Sequence, residues 1–287
     1  MSERPADPGA LQADAPAHTD GTGALPLGTP CPWSPPAAAL RVPRAEMLRY
    51  LGHTGQKIED GLAARIEAAA ADAERVSAPR GVRAAFAVDA SGADAAGNPC
   101  IRLTGTTVEL TGRDIYRHLK DAEAAVVLAV TLGMESERRL RLLGTLQPLD
   151  AALFDAACSA LVEEAAEALD RAAKQEAARF GLTGNWRFSC GYGDLPLEAQ
   201  GSLLDALDAR RALGITLTPS NLMIPAKSVT AVFGLFRADA LGGGSVPAAD
   251  AVRSCRGCAR AGGCAFRSRG TRCYRYNYPR GIFTSER

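Results

Sequence analysis

The spacing of apolar positions divides the chain into helical and extended segments. Residues 45–51 place Met47, Leu48 and Leu51 on one face of a short helix that Gly52 closes. A longer helix is expected from about 56 to 78. Strand candidates follow at 82–88, 100–104 and 107–110, the first two separated by a turn-rich insertion at 91–99. Thr111 or Gly112 opens a helix to about Lys120. Residues 124–131, Ala-Ala-Val-Val-Leu-Ala-Val-Thr, form a continuous apolar run rich in Val, the pattern of a strand covered on both faces.

Helical spacing returns at 134–143 and over about 150–180. In the second of these, Leu153, Ala157, Leu161 and Ala165 step by four while Glu163, Glu164, Glu167 and Asp170 lie on other faces. This long amphipathic helix is expected to be the central packing element. Residues 186–189 read as a strand running into a turn, 196–213 as a helix, and 215–217 and 227–236 as further strands. Strands that pair with one another before helices cover them give an α+β fold with a mixed, mainly antiparallel sheet.

Composition sets the limits of that fold. A length of 287 residues and 47% hydrophobic content suffice for one good-sized core. Residues 1–40, rich in Ala, Pro and Gly, lack the aliphatic clusters that offset the entropy of ordering, and are expected to be a flexible tail. Residues 41–245 then form the main domain and 246–287 a basic, Cys-rich tail. Gly242-Gly243-Gly244 leads into Ser-Val-Pro rather than a helix, so it reads as a linker and not a phosphate loop. The net charge of +1 argues against a globally basic nucleic-acid binder. No basic stretch followed by an apolar run opens the chain, and no segment approaches the roughly 20 apolar residues of a membrane span, so a cytoplasmic protein is expected.

Two segments carry candidate chemistry. In 186–196, a strand ends in a turn whose glycines, Gly191 and Gly193, permit close backbone approach to a ligand. Arg187 offers a fork for a carboxylate, and Tyr192 an aromatic face or a hydroxyl, a pair suited to an amino-acid-like or sulfonium ligand. The second segment, 217–230, mixes Ser220, Met223, Pro225 and Ser228 in the manner of a strand, an irregular crossing and another strand.

Taken together the two segments resemble the activation domain of cobalamin-dependent methionine synthase. The matching residues are Arg187, Gly191, Tyr192 and Pro196, then Leu217, Thr218, Ser220, Met223, Pro225, Ser228 and Val229. The stretches Glu46 to Gly52 and Thr131 to Gly133 resemble free-standing versions of that domain, so the likeness spans about 41–240. It implies S-adenosylmethionine binding. By that resemblance Arg187 holds the methionine carboxylate, the backbone of Ser189, Cys190 and Gly191 together with Tyr192 lines the pocket, and Glu163 is the best match for an acidic residue that reaches the ligand from the long helix. An Asp near the family's start and a Tyr pair beyond its Ser-Val strand have no counterpart here.

The implied role is to reactivate a cobalamin carried by a partner, the cobalamin-binding domain of a methionine synthase or another corrinoid protein. One electron, from a flavodoxin or ferredoxin, reduces inert cob(II)alamin, and methyl transfer from S-adenosylmethionine consumes the reduced form and pulls an uphill step forward. Such a module needs no general base. His18, His53 and His118 are isolated in sequence and stand in no metal-ligand pattern.

Four of the eight cysteines crowd into the C-terminal tail, whereas Cys31, Cys100, Cys158 and Cys190 are scattered in the manner of small buried apolar residues. Cys255, Cys258, Cys264 and Cys273 form a C-x2-C-x5-C-x8-C series whose soft ligands suit a zinc site or an iron–sulfur cluster. Eight arginines and no acidic residue lie between 251 and 285, with Tyr274, Tyr276 and Tyr278 interleaved. This tail lies outside the resemblance. It leaves open an iron–sulfur reductive activator of another corrinoid methyltransferase, or a zinc-ribbon protein that binds nucleic acid.

Overall fold

The computed structural model describes residues 24–36 and 39–237. Among these residues nine strands and seven helices follow one another: β1 (Cys31–Trp33), α1 (Arg44–Tyr50), α2 (Asp60–Val76), β2 (Arg80–Asp89), β3 (Cys100–Leu103), β4 (Glu109–Thr111), α3 (Arg113–Leu119), β5 (Ala124–Thr131), α4 (Met134–Leu146), α5 (Pro148–Ala178), β6 (Leu182–Gly184), α6 (Gln200–Ala206), α7 (Ala209–Leu213), β7 (Thr216–Leu217), β8 (Met223–Ile224) and β9 (Ser228–Arg237). Seven strands make one sheet in the order β4-β3-β2-β5-β9-β6, with β1 also on β2, and β7 and β8 form a separate hairpin. Every strand pairing within these sheets is antiparallel, so this is an α+β fold built on an antiparallel sheet.

The sheet divides the core in two. Alternate residues of a strand point to opposite faces, and β5 feeds both: Val126, Leu128 and Val130 pack toward α1, α2, α4 and α5, whereas Ala125, Val127 and Ala129 pack toward α3, α6 and α7. A strand flanked by two layers has no solvent face, which is why all eight positions of β5 are buried and apolar, except the hydrogen-bonded Thr131. The 31-residue α5 supplies most of the first layer, placing Leu153, Phe154, Leu161 and Leu169 against the sheet.

Four local expectations are corrected. Residues 31–33, inside the stretch expected to be a flexible tail, pair with β2, and Leu25, Trp33 and Leu40 pack against the first core. The helix expected from about 56 starts at Asp60. The helix expected over 196–213 is a 3-10 turn followed by α6 and α7, broken where Asp208 takes a left-handed conformation at φ 49°. Apolar spacing persists across that break because Leu203, Leu204, Leu207 and Leu213 all reach the second core, which hides the break from a periodicity reading. Finally, 186–189 is not a full strand: it continues the line of β6 along β9 and bonds to it only through Phe188 and Val232.

Candidate functional site

The segment after β6 is fixed to the sheet from one side. Asn185 N–H donates to the Gly234 carbonyl at 3.1 Å, and its side-chain oxygen accepts from Gly234 N–H at 2.8 Å. Its amide nitrogen donates to the His118 carbonyl at 2.9 Å, and His118 Nε2 meets the Trp186 carbonyl at 2.8 Å. Trp186, Phe188 and His118 form a ring cluster with centroids 4.4 to 5.5 Å apart. His118 is thereby a structural residue.

Alternation then sends Arg187 the other way, toward α5. Phe188 exchanges both backbone hydrogen bonds with Val232 at 2.8 Å, so its neighbours Arg187 and Ser189 direct their backbone N–H groups away from β9, at the sheet's edge. Arg187 Nη2 lies 3.3 Å from Glu167 Oε2 and 3.9 Å from Glu163 Oε2. Thus two residues picked from distant parts of the sequence, Arg187 and Glu163, do meet, and Glu167 joins them. Burial pushes the Glu167 carboxyl above the ordinary range, and the Arg187 guanidinium opposes that rise.

The turn that follows is closed by its own backbone. Tyr192 N–H donates to the Ser189 carbonyl at 3.2 Å, Leu195 N–H to the Tyr192 carbonyl at 3.1 Å and Gly191 N–H to the Leu195 carbonyl at 2.9 Å. Gly193 has φ 53° and no room for a side chain, since a Cβ would sit 2.9 Å from Asp114 Oδ2. Asp194 bonds the turn to α3, its carboxylate accepting from Arg113 N–H at 2.7 Å and Asp114 N–H at 3.0 Å. The turn is thereby rigid, with Gly191 and Tyr192 exposed at its tip. Cys190 turns its thiol into the second core, where burial pushes it up to about 12, so only its backbone faces the turn.

α5 contributes a polar stripe of Asp155, Ser159, Glu163 and Glu167, four residues apart and so one above another. Lys227, just before β9, donates to Ser159 Oγ and pairs with Asp155 Oδ1, each at 2.8 Å. Beside this end of the stripe, Tyr50, Leu51, Leu140, Ala151, Ala152, Asp155, Ala156 and Ser159 line a groove of about 570 Å³. Tyr50, Glu167, Ser159 and Lys227 were not singled out from the sequence. For α5 the signal was the four-residue period of polar residues; for Tyr50 it was its place in the Glu46 to Gly52 stretch that carries the resemblance.

The second motif segment is structural. Ser228 Oγ lies 2.8 Å from the Thr131 hydroxyl and donates to the Pro225 carbonyl at 2.7 Å, while Thr131 Oγ1 accepts from Gly133 N–H at 3.1 Å. Thr218 Oγ1 lies 3.0 Å from Ser220 Oγ and accepts from Leu222 N–H at 3.0 Å, shaping the β7–β8 turn. Cys255, Cys258, Cys264 and Cys273 lie outside the described residues. Among the described residues no group of His, Cys, Asp and Glu side chains is arranged to hold a metal, and no helix is long and apolar enough to cross a membrane.

An antiparallel α+β domain with a guanidinium and a Gly-Tyr turn at its sheet edge is the class that fold and site define. Within that class the chain is similar to the crystal structure of the MetH reactivation domain bound to AdoHcy, with a TM-score of 0.52 and 16% identity over 72% of this chain and 78% of that one. It has the fold of that domain. No family model and no curated protein matches the chain.

Proposed function

We propose that the protein binds S-adenosylmethionine at the sheet edge and presents it to a cobalamin carried by a partner, as a free-standing reactivation module. The observation that carries this reading is the meeting of Arg187 with Glu163 and Glu167 beside a rigid Gly-Tyr turn. A methionine end group is a zwitterion. Arg187 suits its carboxylate, and Glu163, 3.9 Å from Arg187, suits its ammonium. The likeness to a domain solved with AdoHcy supports the same class of ligand.

In this reading S-adenosylmethionine supplies the methyl group, and the chain's own residues only bind, orient and expose it. One electron from a flavodoxin or ferredoxin brings the partner's cob(II)alamin to cob(I)alamin; Cys255, Cys258, Cys264 and Cys273 would hold an iron–sulfur cluster, which would supply the same one-electron chemistry. That species accepts the methyl cation, leaving S-adenosylhomocysteine. The partner is the cobalamin-binding domain of a methionine synthase or a similar corrinoid protein. The test is methylcobalamin formation from cob(II)alamin-loaded partner, reductant and S-adenosylmethionine. Formation that depends on this chain supports the role; equal rates with and without it reject it.

A further inference from the structure

The groove beside the start of the α5 stripe has the shape and chemistry for a flat ring that carries hydroxyls. Ala151, Ala152 and Ala156 floor it, and Leu51 and Leu140 border it, so a shallow apolar slot stands where longer side chains of α5 would fill the space. At the end toward Glu163 it turns polar. Ser159 Oγ donates to the Asp155 carbonyl at 2.9 Å and accepts from Lys227 Nζ at 2.8 Å, so its one proton is committed. Asp155 is placed differently. Lys227 pairs with its Oδ1 at 2.8 Å, and its side chain stays 47% exposed. A carboxylate has acceptor sites on both oxygens, so Asp155 has room for the hydroxyl donors of a ligand.

We propose that this groove takes the nucleoside of the S-adenosyl ligand, the adenine lying on the alanine floor and the ribose hydroxyls donating to Asp155. The proposal rests on the reading that Arg187 holds the methionine carboxylate of such a ligand. The two ends share one face of α5. Asp155, Ser159, Glu163 and Glu167 follow one another at four-residue steps, and Arg187 Nη2 lies 3.3 Å from the last of them. From Asp155 to Glu163 the helix rises by about 12 Å. A ligand stretched along α5 covers that span with its sulfonium between the ends. Recognition is thereby divided. Arg187 offers a fork to a carboxylate that every free amino acid carries, so it does not tell an S-adenosyl ligand from methionine. The groove does, since only the S-adenosyl ligand brings a flat ring to bury and a diol to bond.

Calorimetric titration of the full chain with S-adenosylmethionine, adenosine and dideoxyadenosine, which lacks the ribose diol, tests this. Wild type is expected to bind adenosine in competition with S-adenosylmethionine, and about tenfold more tightly than dideoxyadenosine. Ala152 is exposed, so Ala152→Phe fills the groove without entering the core, and should weaken both S-adenosylmethionine and adenosine by about tenfold or more. Asp155→Ala should bring adenosine down to the level of dideoxyadenosine, a loss of discrimination that a fault in folding does not produce. Binding of S-adenosylmethionine that Ala152→Phe leaves unchanged, or adenosine that fails to displace it, would overturn the groove while leaving the ligand reading intact. Wild type that binds neither S-adenosylmethionine nor adenosine would overturn both.

Discussion

Arg187 and Glu167, twenty residues apart in sequence, face each other across 3.3 Å between the sheet edge and the middle of α5. Both are largely buried, with side chains 12% and 21% exposed, so neither charge is comfortable without the other. We read Glu167 as the strap that keeps the guanidinium in place.

That strap has a pH signature. Burial raises the folded-state pKa of Glu167 above its unfolded value, so the folded chain holds this proton more tightly and ionisation costs stability. The cost is absent below the ordinary carboxylate range, grows as pH rises through the window up to the raised value, and is constant above it. Glu167→Gln removes the titration. The stability of wild type relative to Glu167→Gln should therefore fall as pH rises through that window, measured by urea unfolding at a series of pH values. A difference that climbs with pH would contradict the assignment.

Ser228 divides structure from ligand binding. Its hydroxyl joins the ends of β5 and β9 through Thr131 and the Pro225 carbonyl, well inside the protein. Ser228→Ala should lower stability by about 1 kcal/mol, the usual cost of such a buried bond. Affinity for S-adenosylmethionine should stay within about twofold of wild type, since an effect below roughly 0.4 kcal/mol is all that remote packing need transmit. Thermal unfolding and titration of the same preparation check both halves, and a selective loss of affinity at unchanged stability would place Ser228 in the site instead.

The cysteine quartet yields a separate outcome. An iron–sulfur cluster on Cys255, Cys258, Cys264 and Cys273 fits a reactivation role better than zinc, because thiolate-held clusters reach strongly reducing potentials and zinc has no redox chemistry. Anaerobic purification should give a brown protein with iron and sulfide in comparable amounts. One zinc per colourless chain would reject the cluster and keep the ligands. Absence of any metal would reject the site.

Much of the fold was legible because its strongest signals are local. The all-apolar run of β5 announces a doubly covered strand, and the four-residue steps of Leu153, Ala157, Leu161 and Ala165 announce α5. What stayed hidden depends on distant partners. β1 is three residues of Cys-Pro-Trp whose only reason to be extended is the edge of β2, and β6 is a Leu-Thr-Gly whose reason is β9. Arg187 and Gly191-Tyr192 were legible as a candidate pair from their residue types, and Glu163 through resemblance alone. Glu167 follows Glu163 by one helical turn, whereas Tyr50 comes beside the stripe only because α1 packs on α5, a juxtaposition that no spacing along the chain encodes.

The most direct test of the account is whether the purified chain binds S-adenosylmethionine through Arg187. Isothermal titration should show one saturable site per chain, and Arg187→Ala, confirmed folded by its circular dichroism, should weaken binding by about 2 kcal/mol, roughly 30-fold, as loss of a charge-assisted fork requires. No binding by folded wild type, or equal affinity in wild type and Arg187→Ala, would contradict it.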